Sequence, residues 1–69
     1  MCIEKKLGKA IIFRRRQQFI SQEDFARKAG INRQYMSGIE NGKRNVSVTI
    51  LEKIAKALNI SISELFMGL

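Results

Sequence analysis

Ser21-Gln22-Glu23-Asp24-Phe25-Ala26-Arg27-Lys28-Ala29-Gly30-Ile31-Asn32-Arg33-Gln34-Tyr35-Met36-Ser37-Gly38-Ile39-Glu40-Asn41-Gly42 spells two short helices joined by a tight turn. In Ser21-Gln22-Glu23-Asp24 the serine hydroxyl is placed to accept the backbone N–H of the third helical residue, and the acid there to reach back, a capping box. Phe25, Ala26 and Ala29 form the buried stripe of that helix, and Gly30 ends it in the left-handed conformation that other residues adopt only at a cost. Asn32 then caps a second helix running from about Arg33 to Asn41, with Met36 and Ile39 inward and Gly42 after its end. The small Ala26 falls where the two helices cross closely, and Ile31, Met36 and Ile39 fill the wedge between them.

Helical signals continue on both sides. Upstream, about Ile3 to Gln18 places Leu7, Ala10, Ile11 and the stem of Arg14 at three- and four-residue spacing, with Lys5, Lys9 and Arg16 on the opposite face. Downstream, after the polar loop Lys43 to Val46, Ser47 caps a helix whose inward stripe is Ile50 or Leu51, then Ile54, Ala55 and Leu58. Asn59 stands in for glycine as its terminator, and Ser61-Ile62-Ser63-Glu64 opens a fifth short helix with another capping box. With no proline, repeat or low-complexity stretch, residues 1–69 read as one all-α unit without strands.

Composition narrows the function classes. Sixty-nine residues bury a modest core, so a partner subunit is the expected supplement to stability. Cys2 is the lone cysteine and histidine is absent, which leaves no disulfide and no Cys/His cluster for a metal. Cys2, near a terminus, is an ordinary thiol, and the expected compartment is the reducing cytoplasm. Met1 to Ala10 lacks the pattern of an export signal, and no run of apolar residues is long enough to span a membrane. Of the six acids, Glu23, Asp24 and Glu64 serve helix starts, so no acid–base pair is left for catalysis and no cofactor is expected. A net charge of +7 points to a polyanion, nucleic acid before acidic lipid, with simple surface solubility as the plain alternative.

An ordinary helical hairpin shows one of the features between Ser21 and Gly42 by chance; all of them together mark a DNA-binding helix-turn-helix over about residues 22–41. The chain resembles the phage repressor and Cro type of helix-turn-helix domain. The resemblance lies in Ser21 to Ala26, in Tyr35-Met36-Ser37-Gly38-Ile39-Glu40-Asn41-Gly42-Lys43-Arg44, and in Leu51-Glu52-Lys53-Ile54-Ala55-Lys56-Ala57-Leu58, and it covers about Leu7 to Phe66. It implies a compact five-helix lambda-repressor-like fold. Arg33 to Glu40 followed by Lys43-Arg44-Asn45 is most similar to the controller proteins of restriction-modification systems, which are small dimers.

The resemblance also implies roles. Gln22, at the start of the second helix, would hold a DNA phosphate, aided by its backbone N–H at a helix N-terminus. The third helix would lie in the major groove with Arg33, Gln34, Ser37 and Gly38 toward base edges; Arg33 suits guanine and Gln34 adenine, each through two hydrogen bonds. Tyr35 would touch a phosphate or else lie flat against the first helix. Asn41 and Lys43 would contact the backbone, Lys43 alternatively being a solvated loop charge, while Arg44 and Asn45 would read bases. Arg15 and Glu40 match an ion pair that ties the first helix to the third. Two departures stand out: Phe19 occupies a place where glycine is usual, unsettling the end of the first helix, and Val46 replaces a common proline, leaving the loop less rigid.

One recognition helix touches too few base pairs to select a site, so a homodimer on a near-palindromic operator is expected. The apolar excess of Ile62, Leu65, Phe66, Met67 and Leu69, within residues 60–69, supplies the dimer contact, with Leu65 turned inward. No small-molecule effector is expected. The competing function is a protein-interaction module that pairs with a repressor or toxin; the polar, basic third helix argues against it.

Overall fold

Helical periodicity and caps translate into five helices: α1 (Ile3–Gln17), α2 (Gln22–Ala29), α3 (Arg33–Glu40), α4 (Val48–Leu58) and α5 (Ile62–Phe66). The computed structural model describes Cys2 to Leu69; Met1, and with it the start of the N-terminal stretch, lies outside the described residues. Along α1, Leu7, Ile11 and Arg15 are buried at four-residue intervals, so the helix lays one stripe on the rest of the chain. Arg14, Arg15 and Arg16 occupy its last turn, where cations complement the helix dipole.

The helix ends one residue before its expected boundary, and Phe19 explains how it stops without glycine. Phe19 itself takes the left-handed conformation, at φ 57°. Its N–H bonds the Arg16 carbonyl at 3.0 Å, and the Ile20 N–H reaches the Arg15 carbonyl at 3.4 Å. The ring gains no burial in return, being 96% exposed.

The turn between α2 and α3 forms as expected. Gly30 is left-handed at φ 70°, and the Ile31 N–H closes back on the Ala26 carbonyl at 2.9 Å. Half of the box at the start of α2 does not form. Ser21 Oγ accepts the Asp24 N–H at 3.1 Å, but the Asp24 carboxylate accepts from Arg27 Nη1 at 2.9 Å instead of reaching back. A guanidinium one turn along the helix outcompetes a neutral backbone N–H for that carboxylate. At α5 the nearby Arg14 donates to the Glu64 backbone carbonyl and leaves the carboxylate to the box, and both halves form at 3.0 Å between Ser61 and Glu64. The bonds from Ser61 hold the Glu64 carboxyl below the usual carboxylate range, assisted by Arg14.

Phe25, Ile11, Met36, Ile39, Ile54, Leu58 and Leu65 are the largest fully buried side chains, contributed by all five helices. Ile50 and Leu51 are both half-buried, so α4 uses the two candidate residues together. Asn59 terminates α4 in the left-handed region at φ 60°. Val46 packs against the core, so a half-buried apolar side chain anchors the loop in which a proline would have restricted φ. At the C-terminus Leu65 is 1% exposed and belongs to the core. Its neighbours divide: Ile62, Phe66 and Leu69 are half-buried, and Met67 is 70% exposed. Met67 is therefore the exposed member of the expected set, while Phe66 and Leu69 pack against the core and keep only part of their surface open, as does Ile62. No helix among the described residues is long and apolar enough to cross a membrane.

Candidate nucleic-acid interface

Helix α3 is held from three directions, which determines what it can present. At its start Asn32 Oδ1 accepts from the N–H of Gln34 at 2.8 Å and of Tyr35 at 3.2 Å. Beneath it, Met36 and Ile39 are fully buried. At its end, Glu40 accepts from Arg15 through two parallel bonds, Nε to Oε2 at 2.9 Å and Nη2 to Oε1 at 3.1 Å. Arg15 Nη1 spends its remaining reach on the Ile20 carbonyl at 2.8 Å. Arg15 is 8% exposed and Glu40 5%, and no buried side-chain polar atom among the described residues lacks a partner. A buried pair satisfied in this way stabilises mainly by what would follow from losing one partner. It confirms the expected tie between the first and third helices.

Two features of this tie have no counterpart in the sequence reading. Gln22 Nε2 donates to Glu40 Oε1 at 3.0 Å, so the side chain expected on a phosphate also locks the start of α2 to the end of α3. Its second N–H and its backbone N–H, the latter in the first turn of α2, stay unspent among the described residues. Gly8 is the other feature. A Cβ there would lie 2.5 Å from the Glu40 carbonyl oxygen and 2.7 Å from that of Ile39, so α1 crosses the last turn of α3 at a point with no room for a side chain.

With Met36, Ile39 and Glu40 inward, Arg33 and Gln34 are exposed and Ser37 is partly so. Spacings of three and four residues put these side chains on one face of α3. Beyond the helix, Asn41, Lys43, Arg44 and Asn45 are all exposed. Gly42 is left-handed at φ 73°, and the Lys43 N–H bonds the Gly38 carbonyl at 2.9 Å. The chain therefore folds back along α3 instead of leaving it. Arg44 crosses over Gly38, and its guanidinium carbon stands 5.5 Å from the centroid of the Tyr35 ring. The Tyr35 hydroxyl donates to the Asn45 carbonyl at 3.4 Å. The ring itself is half-buried against the core, so Tyr35 braces the loop while its outer edge stays open. Gly38 is thus half-covered by the Arg44 side chain.

The electrostatics of this surface are one-sided. From Arg33 to Asn45 the cations Arg33, Lys43 and Arg44 face a single acid, Glu40, already neutralised by Arg15. The exposed acids of α2, Glu23 and Asp24, pair with Arg27 at 3.8 and 2.9 Å. A surface of guanidinium, ammonium, amide and hydroxyl groups with little local negative charge suits contact with phosphates and base edges.

Comparison with known proteins agrees with this geometry. Residues 11–65 match the helix-turn-helix family model. The chain is similar to the control protein C.MunI of a Mycoplasma species, 53% identical over 53 residues that make up 77% of this chain and 72% of that protein. It is also similar in structure to the restriction-modification controller protein C.AhdI of Aeromonas hydrophila, with 40% identity and a TM-score of 0.89 over 91% of this chain and 96% of the other. The biofilm master regulator SinR, solved in complex with DNA, superposes with a TM-score of 0.81 at 33% identity, covering 86% of this chain and 95% of that one. On the match across residues 11–65 and the five-helix architecture that carries it, the chain belongs to the helix-turn-helix family.

Proposed function

We propose that this chain is a sequence-specific, double-stranded DNA-binding transcriptional regulator that acts in the cytoplasm as a homodimer on a near-palindromic operator and controls restriction-modification genes. The observation that carries this is α3: a capped helix, immobilised on its inner side, with Arg33, Gln34 and Ser37 on one accessible face. The likeness to the control protein C.MunI and the controller protein C.AhdI supports the genetic role. Within this proposal Arg33, Gln34, Ser37, Arg44 and Asn45 read bases, and Gln22, Tyr35, Asn41 and Lys43 hold the backbone. The dimer forms through Ile62, Phe66, Met67 and Leu69, with Leu65 supporting them from the core. An α3 face that exposes polar and basic groups speaks against a pure protein-interaction module, which would present apolar side chains there.

Selection of bound sequences from a random duplex pool tests the proposal, followed by binding measurements across salt. The expected product is a motif with two-fold symmetry whose affinity falls steeply with salt, log K decreasing by about 0.9 per phosphate neutralised for each unit of log salt. Arg33→Ala and Gln34→Ala should relax preference at particular positions; a uniform loss at all sequences would assign both to phosphates. Met67→Glu should yield a folded monomer in sedimentation, and an unchanged dimer would place the interface elsewhere. Binding without sequence preference or salt dependence would end the proposal.

A further inference from the structure

Gly38 occupies the interior of α3, where glycine is the poorest helix former after proline. Its backbone is helical, so no left-handed turn calls for it. What calls for it is Arg44. A Cβ at position 38 would stand 2.7 Å from Arg44 Cγ, 3.3 Å from Nε and 3.6 Å from Cδ, and its three nearest neighbours all belong to that one side chain. The missing Cβ makes a notch through which the arginine stem crosses the helix.

Beyond the notch the guanidinium meets the Tyr35 ring at 5.5 Å, within the range of cation–π attraction. Tyr35 is in turn tied to the following residue through its hydroxyl and the Asn45 carbonyl. Arg44 takes part in no ion pair among the described residues. Held at its stem and against a ring, a guanidinium still has its N–H edge available for two parallel hydrogen bonds.

We propose that Gly38 and Tyr35 are specificity-determining positioning residues: a notch and a ring that together pre-set Arg44 for reading a base. The proposal rests on the base-reading role given to Arg44 above. An arginine free in solution samples many rotamers and meets several acceptors loosely; one ordered beforehand loses less entropy on binding and favours the single geometry that matches guanine. Gly38 therefore acts on sequence choice without touching a base itself.

The test combines selection from a random duplex pool, quantitative binding to the selected site and its single-base variants, and thermal melting. It uses wild type, Arg44→Ala, Gly38→Ala, Tyr35→Leu, Tyr35→Phe and the Gly38→Ala/Arg44→Ala double variant. Arg44→Ala should cut discrimination at one position of each half-site by about 5- to 150-fold, the value of a bidentate base contact. Gly38→Ala should lose at least about 5-fold at the same position, within that range, while its melting temperature holds or rises, because alanine is the better helix former. In the Arg44→Ala background, Gly38→Ala should add nothing. Tyr35→Leu should lose the same positional preference as Gly38→Ala, and Tyr35→Phe, which keeps the ring but loses the hydroxyl, should bind more weakly at all sequences alike while retaining the preference.

If Arg44→Ala leaves every preference intact, the base-reading role falls and the positioning role with it. If Arg44→Ala acts but Gly38→Ala and Tyr35→Leu do not, the notch and ring alone are overturned. If the Gly38→Ala effect persists in full without Arg44, Gly38 meets the DNA directly and the proposal is equally overturned.

Discussion

The two flanks of α3 are made from the same pair of residue types, a helical glycine and an arginine, put to opposite uses. On the α1 side Gly8 lets backbone touch backbone, and Arg15 is buried with its donors spent on Glu40 and Ile20. On the loop side Gly38 lets one flexible side chain pass, and Arg44 is exposed over the Tyr35 ring with its charge unpaired among the described residues. The contrast teaches that solvation, not residue type, separates scaffold from surface. A guanidinium removed from water has to be fully partnered, whereas one left in water is free to meet an incoming acceptor.

The largest test of that contrast compares the charges. Glu40→Ala leaves Arg15 buried and unpaired, which should cost about 3–5 kcal/mol and leave so small a domain largely unfolded at ambient temperature. Arg44→Ala should stay within about 0.5 kcal/mol of wild type, as surface changes do. Thermal melting followed by circular dichroism checks both, and equal losses would erase the distinction.

A smaller effect separates the glycines. Gly8→Ala forces α1 away from the Glu40 carbonyl and should destabilise by about 1–3 kcal/mol, the usual result of overfilling a packed contact. Gly38→Ala pushes only a side chain aside and should gain up to about 1 kcal/mol from helix propensity. Chemical denaturation of the two variants should therefore show midpoint shifts of opposite sign.

At the end of α1, away from both flanks, Phe19 carries backbone strain that neither burial nor charge offsets. Phe19→Gly should raise stability by about 0.5–1 kcal/mol, the left-handed strain relieved less the added freedom of glycine in the unfolded chain. That corresponds to a few degrees in melting temperature; a decrease would mean that the ring makes a stabilising contact.

The smallest expected effect concerns Glu64. Its pKa is lowered in the folded chain, so its contribution is present above the unfolded value and is lost as pH falls through the folded one. Stability curves of wild type and Glu64→Gln should accordingly differ at neutral pH and converge under acid, and parallel curves would remove the carboxylate from the capping box.

Much of this was legible in the chain because the signals are local. Ser21, Asn32, Ser47 and Ser61 act as caps within three residues of the groups they bond, and Gly30 and Asn59 declare the helix ends by their own backbone preferences. The error at Asp24 was also local: Arg27 competes one turn away, and a four-letter capping pattern does not weigh that competition. Phe19 stands out in the sequence for its missing glycine, yet its adoption of the strained backbone follows only from the way Ile20 and Arg15 close the turn. Gln22 joining Glu40 was invisible, since a family role on phosphate offered no reason to look inward.

Local signals alone were enough for the five helices, the caps of α2 to α5, the turn at Gly30 and the apolar stripes of α2 to α4, whereas α1 buries Arg15 and leaves the expected Ala10 and Arg14 half-buried. Those signals depend on interactions within a turn or two of chain. Tertiary structure decided which glycine meets a carbonyl and which an arginine, which cation is neutralised, and that Leu65 belongs to the core while Met67 does not. The Arg15–Glu40 bond spans 25 residues and the Arg14 bond to the Glu64 carbonyl 50. At such separations the identity of a neighbour is set by how the helices pack, and the same residue letter becomes support in one place and a free guanidinium in another.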